Sequence, residues 1–323
     1  ASVGTERLVL DHQGTDRTYD LTVPAGYDGA MPTPLVLDIH GFSSNAEQRA
    51  ALTGMPESAG ERGYVVVTPQ AEEVDVPLTT GSITTTFWNI DPAAVREGFE
   101  PVDDLGFLNA LLDVLDERLC IDSDRQYVTG MSNGAGMTMA LICGDETRFA
   151  AAAPVAGVNL VGECEPGESI PLLTFHGDAD PLIPYEGGLV VGQDYEVGGV
   201  EQRTAQLAET AGCDEEPVVT QPFEDISVTT WVSCGPGGGE DGEDGDSYEI
   251  VLTRVRGGGH TWPGAELGAF DTTDSPPGQV DFIEGFDFSG VAGNATTSID
   301  ATEQILDFFD ADAAASADRN IRD

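Results

Sequence analysis

The stretch Val128-Thr129-Gly130-Met131-Ser132-Asn133-Gly134-Ala135-Gly136 decides how the rest of the chain is interpreted. An apolar run, 126–129, leads into the pattern Gly-x-Ser-x-Gly, and a helix-compatible segment, 135–143, follows it. A strand that turns sharply into a helix around such a serine is a nucleophile elbow. The serine then lies at a helix N-terminus, where backbone N–H groups favour a developing negative charge. The pattern predicts Ser132 as a catalytic nucleophile; the alternative is a Gly-Ser turn in a structural or nucleotide-binding loop.

A nucleophilic serine needs a base, and the chain has only four histidines. His12 lies before the first core strand, where a surface position is expected. His40 and His176 each end an apolar run, upstream of a loop. His260 follows three glycines and comes late in the chain, in agreement with the order Ser, acid, His that such elbows show. Elimination therefore predicts His260 as the base.

The acid that orients this base should lie between Ser132 and His260, just after a strand. The segment His176-Gly177-Asp178-Ala179-Asp180-Pro181 contains two candidates. Asp180 lies further into the loop and precedes a proline, which stiffens the turn. We predict Asp180 as the acid, and Asp178 as a turn former that remains the second candidate.

An oxyanion hole needs two backbone N–H groups, one from the residue after the nucleophile and one from an early strand-to-loop turn. Asn133 provides the first N–H. The turn His40-Gly41-Phe42 follows an early apolar run and is the natural source of the second, through the N–H of Phe42. The alternative for this turn is a simple end of a strand.

Several motifs together resemble the extracellular polyhydroxybutyrate depolymerase and feruloyl esterase family, a branch of the α/β hydrolases. The resemblance covers about 5–310, and its motifs are Pro24-x-Gly26-Tyr27-Asp28, 35–41, Tyr127 to Gly134, Ala153-Pro154-Val155-Ala156-Gly157, His176-Gly177-x-x-Asp180-Pro181-x-x-Pro184-Tyr185 and Gly257-Gly258-Gly259-His260-Thr261-Trp262-Pro263-Gly264. It implies the same three catalytic residues. Phe42, where many relatives have a smaller or polar residue, and the acidic Gly-rich insert at 235–247 depart from the family pattern.

Three side chains are predicted to contact substrate. Trp262 is two residues from the predicted base, so its indole could stack on an aromatic acyl group or lie along a polyester chain. Trp88 resembles the family's second tryptophan beside the pocket, with plain core packing as the alternative. His40, in the predicted oxyanion turn, is the third. Trp231 is expected to be structural.

Apolar runs alternate with helical segments along the whole chain, which predicts an α/β fold: a mostly parallel sheet with helices on both faces. We expect one α/β-hydrolase domain over 1–323. The predicted strands are 35–39, 64–68, 125–129, 151–155, 171–175 and 248–255. The predicted helices are 46–59, 102–119, 135–143, 199–211 and 300–309. Asp300 is expected to cap the last helix, and the tail beyond about 310 to fray.

The formal net charge is −45, with 58 acidic and 13 basic residues, and all basic residues are arginine. Such a surface repels nucleic acid and anionic membranes, so neither is an expected partner. The sequence contains no run of 18 apolar residues, so no membrane span is expected. The lysine-free acidic composition favours a halophilic or marine source; a bias in base composition is the alternative, although it does not explain the carboxylates.

Five cysteines are present, so at least one is unpaired within a monomer. Cys213 with Cys234 is the favoured disulfide, and Cys143 with Cys164 a weaker one, which leaves Cys120 free. The alternative is five thiols in a reduced cytosolic protein. The insert at 235–247 is rich in carboxylates but lacks the EF-hand spacing, so a solvated loop is preferred over a calcium site. No zinc-type Cys/His spacing is present.

These features predict a secreted serine carboxylester hydrolase with its signal peptide removed, acting on polyester or cell-wall esters without a metal or organic cofactor. An acetyl xylan esterase or an aromatic polyester hydrolase with the same site is the first alternative. A non-catalytic binding protein and a peptidase of the same fold are the others. The expected partner is an ester, polymeric or not, and the oligomeric state is left open.

Overall fold

A ten-stranded sheet forms the centre of the protein. The computed structural model describes residues 2–79, 81–90, 102–143, 147–162, 170–235, 247–265 and 292–322, with side chains as far as 314. The strands of this sheet are β1 Gly4–His12, β2 Thr15–Val23, β3 Thr33–Ile39, β4 Val65–Pro69, β7 Ile121–Met131, β8 Ala151–Val155, β9 Leu172–Gly177, β12 Val218–Phe223, β13 Ile226–Cys234 and β14 Tyr248–Val255. Two small hairpins lie outside it: β5 Glu73–Leu78 with β6 Gly81–Thr86, and β10 Gly188–Leu189 with β11 Glu196–Val197.

The middle of the sheet is parallel, in the order β4-β3-β7-β8-β9-β14. Every residue of β4, β8 and β9 is buried, which is typical of parallel strands covered on both faces. The predicted α/β class with a mostly parallel sheet is confirmed, and each predicted strand is present within a few residues. Because parallel strands end at the same edge, the loops after β3, β7, β9 and β14 meet there.

The helices are α1 Ala46–Thr53, α2 Met55–Glu61, α3 Asp104–Arg118, α4 Asn133–Ile142, α5 Val200–Thr210 and α6 Ala301–Arg322. The single helix predicted over 46–59 is wrong: Gly54 takes the left-handed conformation, φ 62°, and ends α1. Pro56 then starts α2. The tail beyond about 310, which was expected to fray, is helical as far as Arg322 in α6. Its Ala-rich sequence has a high helix propensity. The predicted cap is confirmed, because Asp300 Oδ1 accepts the N–H of Glu303 at 3.2 Å.

Two hydrophobic clusters cover the two faces of the sheet. Along β3, Leu35, Leu37 and Ile39 point to one face and Val36 to the other, as the period of a strand requires. The first face packs against apolar side chains of α3 and α4, and the second against those of α2 and α6. This packing fixes the parallel strands, and therefore the loops at their carboxyl ends.

Antiparallel hairpins extend the sheet at both edges, β1–β2 on one side and β12–β13 on the other. The predicted Cys213–Cys234 disulfide is present and closes the segment that contains β12. Cys120 is free, as predicted. Cys143 is disulfide-bonded, and its predicted partner Cys164 lies outside the described residues. Most of the acidic insert, 236–246, also lies outside them.

Candidate active site

Ser132 lies on the sharp turn between β7 and α4. Its backbone has φ 57° and ψ −123°, a strained conformation for a residue with a side chain, and it is the N-cap of α4. Its N–H donates to Val155 O at 2.9 Å, which fixes the turn against β8. A Cβ at Gly157 would lie 2.7 Å from Ser132 O, so the neighbouring loop can approach this closely only with a glycine there. The local geometry is that of the predicted nucleophile elbow.

Asp180 and His260 form a buried hydrogen-bonded pair. His260 Nδ1 donates to Asp180 Oδ2 at 2.7 Å. The other oxygen, Oδ1, accepts the backbone N–H groups of Leu182 and Ile183 at 2.8 and 2.9 Å. Burial acts to raise the pKa of Asp180, but His260, and His176 behind it, outweigh burial and hold that pKa well below its usual range. Asp180 is therefore a carboxylate at neutral pH, and it fixes the His260 tautomer with the proton on Nδ1.

Asp178, the second candidate for the acid, has a different set of partners. Its Oδ2 accepts two hydrogen bonds from Arg254, at 2.9 and 2.8 Å, and its Oδ1 accepts the N–H of Gly257 at 2.6 Å. Asp178 thus ties the end of β9 to the start of the glycine-rich loop that carries His260. Of the two carboxylates, only Asp180 contacts the histidine.

The loop that carries His260 is held by backbone hydrogen bonds. The N–H of Gly259 donates to Asn294 O at 2.9 Å, and the N–H of His260 to Ala292 O at 2.5 Å. The described residues include no hydrogen bond between the Ser132 side chain and His260. Contacts between nucleophile and base are often longer in an enzyme without substrate and tighten in the complex.

The predicted oxyanion turn packs directly against the elbow. A Cβ at Gly41 would lie 3.4 Å from Ser132 Cβ, so the turn passes beside the nucleophile. Ser43 donates its N–H to Thr86 O at 2.9 Å, which docks the turn on the end of β6. Within the described residues, neither Phe42 nor Asn133 uses its backbone N–H for a hydrogen bond to the protein. These are the two donors that the sequence predicted.

The side chain of Asn133 has a role that the sequence analysis missed. Its Oδ1 accepts the backbone N–H of Trp88 at 2.7 Å, and its Nδ2 donates to Trp88 O at 2.9 Å. The Trp88 indole in turn donates to His40 O at 2.9 Å. The elbow and the oxyanion turn are therefore joined through Trp88. A single sequence carries no signal for this contact, because 45 residues separate its partners.

His40 is fully buried, so its predicted contact with substrate is wrong. Its Nδ1–H donates to Gly41 O at 2.7 Å, and its Nε2 accepts the N–H of Ala71 at 3.0 Å. Both ring nitrogens are thus used in supporting the turn. Burial lowers the pKa of His40 to about 4, which keeps the imidazole neutral.

The two tryptophans predicted to contact substrate are also buried, at 0% exposed for Trp88 and 2% for Trp262. For Trp88 this burial agrees with the alternative, plain core packing. Trp262 stacks under the guanidinium of Arg49, 4.2 Å from its ring centroid, and donates from Nε1 to Thr302 Oγ1 at 3.0 Å. These contacts attach the His260 loop to α1 and α6 and leave no open indole face for an acyl group. Trp231 is buried in β13, where a structural role was expected.

In the part of the chain that the structure describes, no three His, Cys, Asp or Glu side chains are grouped closely enough to hold a metal ion. The same described residues include no helix that is both long and apolar enough to cross a membrane.

Known proteins with similar sequences and folds include several esterases. Feruloyl esterase B of Piromyces equi is 25% identical over 253 residues, which cover 76% of this chain and 42% of that protein. NocK of Nocardia uniformis subsp. tsuyamanensis, a protein named as an esterase, is 29% identical over 296 residues, 84% of this chain and 80% of that protein. Acetyl xylan esterase from Aspergillus awamori has a TM-score of 0.51 at 16% identity and covers 80% of this chain and 94% of that one. No protein-family model matches.

The last of these similarities shows the fold, that of the α/β hydrolases. The sequence relatives support a feruloyl esterase-like family of α/β hydrolases, the family that the motifs resemble. These relatives support a carboxylic ester hydrolase. The chain spans less than half the length of feruloyl esterase B, which is the longer protein.

Proposed function

We propose that this protein hydrolyses carboxylic esters with Ser132 as nucleophile, His260 as general base and Asp180 as the residue that orients the base. The observation that carries the proposal is the 2.7 Å hydrogen bond from His260 Nδ1 to the ionised Asp180, on the sheet edge where the elbow also ends. This bond leaves Nε2 of the ring without a proton and free to accept one.

In the first half of the reaction, Ser132 Oγ attacks the ester carbonyl carbon while His260 Nε2 takes the Oγ proton. The carbonyl oxygen becomes an oxyanion, which the N–H groups of Phe42 and Asn133 stabilise. His260 then gives the same proton to the leaving alcohol oxygen as the C–O bond breaks. In the second half, water attacks the acyl-enzyme, His260 takes its proton, and that proton returns to Ser132 as the acid leaves.

As substrate we propose esters of hydroxycinnamic acids with plant cell-wall sugars, in preference to acetyl esters. The support is the set of sequence relatives named feruloyl esterase B and C, from Piromyces equi and Emericella nidulans. Polyesters such as polyhydroxybutyrate are the alternative from the motif resemblance.

We further propose that the protein works outside the reducing cytosol as a single catalytic domain, since structural disulfides such as Cys213–Cys234 persist in oxidising compartments.

The test is turnover of methyl ferulate, acetylated xylan and hydroxybutyrate oligomers by the wild type and by Ser132→Ala. We expect the variant to fold normally and to lose roughly 10³-fold or more in kcat on every substrate that the wild type hydrolyses. A fluorophosphonate probe should label Ser132 in the wild type and nothing in the variant. Retention of a tenth of wild-type turnover would exclude Ser132 as nucleophile, and a preference for the acetyl or hydroxybutyrate substrates would overturn the proposed substrate.

A further inference from the structure

A second histidine, His176, lies directly behind the Asp180 carboxylate. It is at the end of β9, and its side chain is fully buried. Its Nε2 is 2.9 Å from Ile183 O and 3.2 Å from Asp180 Oδ2, the same oxygen that accepts the hydrogen bond from His260. The mechanism above gives this residue no task.

The proton on His176 can be placed from its neighbours. A carbonyl oxygen only accepts hydrogen bonds, so Nε2 carries a proton and donates it to Ile183 O. Asp180 Oδ2 is the second, longer acceptor of the same N–H. Nδ1 is buried and has no hydrogen-bond partner among the described residues. Every polar contact of this ring is therefore directed toward the turn that holds Asp180.

This contact supports Asp180 in two ways. Directly, the N–H of His176 approaches Oδ2 and reduces the freedom of the carboxylate to rotate away from His260. Indirectly, it fixes the peptide of Ile183, whose own N–H donates to Asp180 Oδ1 at 2.9 Å. Each carboxylate oxygen thus has one contact, direct or through Ile183, that depends on His176. The ring of Tyr185 packs edge-on against His176, with 5.9 Å between the ring centroids. The guanidinium of Arg254 lies 4.9 Å from the centroid of the Tyr185 ring.

We propose that His176 is a positioning residue that sets the orientation of Asp180, and through Asp180 that of His260. The inference rests on the proposed function, because it assigns His176 a part in the work of the same site. The residue does not touch the reacting atoms, and its effect passes through the carboxylate.

Two substitutions of similar size distinguish the loss of the hydrogen-bond donor from the loss of the ring. His176→Gln keeps an N–H donor near the position of Nε2, whereas His176→Leu fills the space without a donor. Thr174→Val is the matched control, since Thr174 is buried on the same strand and face, and its hydroxyl donates to Pro154 O at 2.8 Å without contacting Asp180. The control measures the general cost of losing one buried hydrogen bond in β9.

With p-nitrophenyl acetate as the probe, we expect His176→Leu to lower kcat roughly 10- to 100-fold with KM nearly unchanged, because a misplaced base costs rate more than binding. The pH profile of kcat/KM should change as well, since it depends on the contact between the Asp180 carboxylate and His260. His176→Gln should recover most of the rate and the profile, and Thr174→Val should keep both. Equal losses in all three variants, or wild-type values in His176→Leu, would overturn the proposal.

A second measurement does not depend on turnover. The proton shared by His260 Nδ1 and Asp180 should give a downfield ¹H NMR signal, identified by its disappearance in His260→Ala. We expect this signal to shift or broaden in His176→Leu and to return in His176→Gln. A signal that is unchanged in His176→Leu contradicts the positioning role. A wild type that hydrolyses no ester, but whose signal responds to His176→Leu, would contradict the proposed function and leave the positioning of His260 by His176 supported.

Discussion

The side chain of Asn133 makes two hydrogen bonds to the main chain of Trp88, one to its N–H and one to its carbonyl oxygen. Trp88 also donates from its indole to His40 O, at the start of the oxyanion turn. The residue that follows the proposed nucleophile is therefore linked through Trp88 to the turn that contains the second proposed oxyanion donor, Phe42. The two proposed oxyanion donors, Phe42 and Asn133, are 91 residues apart in the sequence, and this buried contact links the elements that carry them.

We expect Asn133→Ala to lower kcat roughly 10- to 100-fold with little change in KM. The backbone N–H at this position remains, but the oxyanion turn loses its hydrogen-bonded link to the elbow through Trp88. Oxyanion donors act mainly on the transition state, so the loss should appear in kcat. Asn109→Ala is the control, because Asn109 also donates from its side chain to a backbone carbonyl, on the exposed side of α3. Equal activity of the two variants would show that the Asn133–Trp88 contact does not affect catalysis.

Asp180→Asn should lose far more activity than Asp178→Asn. An amide at 180 no longer favours the His260 tautomer that the reaction needs, and comparable substitutions cost about 10⁴-fold in kcat. An amide at 178 can still accept the N–H of Gly257, so a loss of about 10-fold or less is expected. Steady-state kinetics on one ester compares the two, and the reverse order would make Asp178 the acid.

Trp262→Ala should reduce activity on aromatic and short aliphatic esters to the same extent. The indole is buried against Arg49 and Thr302, so its loss loosens the His260 loop and removes no part of a substrate pocket. The cavity should also cost about 3 kcal/mol or more in the free energy of unfolding. Trp262→Phe keeps an aromatic ring beneath Arg49 and should recover part of both. A selective loss for methyl ferulate over a butyrate ester would restore the predicted substrate contact.

His40 should make the protein less stable in mild acid. The pKa of this buried histidine is about 4 in the folded state, against an ordinary value of 6.5 when the chain unfolds. Above pH 6.5 the ring is neutral in both states and contributes nothing. As the pH falls from 6.5 to about 4, only the unfolded state binds the proton, so stability is lost, by roughly 3 kcal/mol at most.

Urea unfolding at pH 7, 6, 5 and 4.5 should therefore show a steeper loss of stability in the wild type than in His40→Gln. The variant will be less stable at pH 7, because it lacks the hydrogen bond to Gly41 O, so the comparison concerns the slope and not the absolute value. Asp180 affects stability in a different pH range. Because its pKa is lowered, its contribution to the free energy of unfolding is lost only below the ordinary carboxyl pKa of 3.8, as the carboxylate becomes protonated. Parallel slopes in the two proteins would exclude His40 as the source.

Salt should stabilise this protein. With 58 acidic and 13 basic residues, like charges repel over a Debye length of roughly 30 Å at 0.01 M salt, which falls to about 3 Å at 1 M. The melting temperature should rise along a sodium chloride series. A flat or falling series would contradict the halophilic interpretation.

Arg62 gives a matched variant for the salt experiment. Its guanidinium binds Glu303, Asp307 and Asp310 of α6, at 2.6, 2.7 and 2.8 Å. Arg62→Gln leaves these three carboxylates without their counter-charge, so it should lose most stability at low salt and recover part of it near 1 M. A difference between the proteins that is independent of salt would mean that Arg62 acts through packing.

The sequence by itself determined the fold class and the three proposed catalytic residues. Gly130, Ser132 and Gly134 are adjacent in the chain, and their spacing specifies a local turn that needs no distant contact to be recognised. His260 was found by elimination among four histidines, and Asp180 by its place after a buried strand. Strand and helix positions followed from local periodicity, except where a glycine at 54 ended a helix or where α6 continued along an alanine-rich tail.

Only the tertiary structure decided what the neighbouring side chains do. Trp262 and His40 were assigned to substrate because they lie near predicted site residues in sequence, and Trp88 because it resembles the family's second tryptophan. All three are buried and support the loops around the site. Burial depends on which distant elements pack against a side chain, such as α1 and α6 on Trp262, and local sequence does not specify these partners. The same reason explains why the sequence did not predict the contacts of the Asn133 side chain and of His176: their partners are fixed by strand order and by loops that meet at one edge of the sheet.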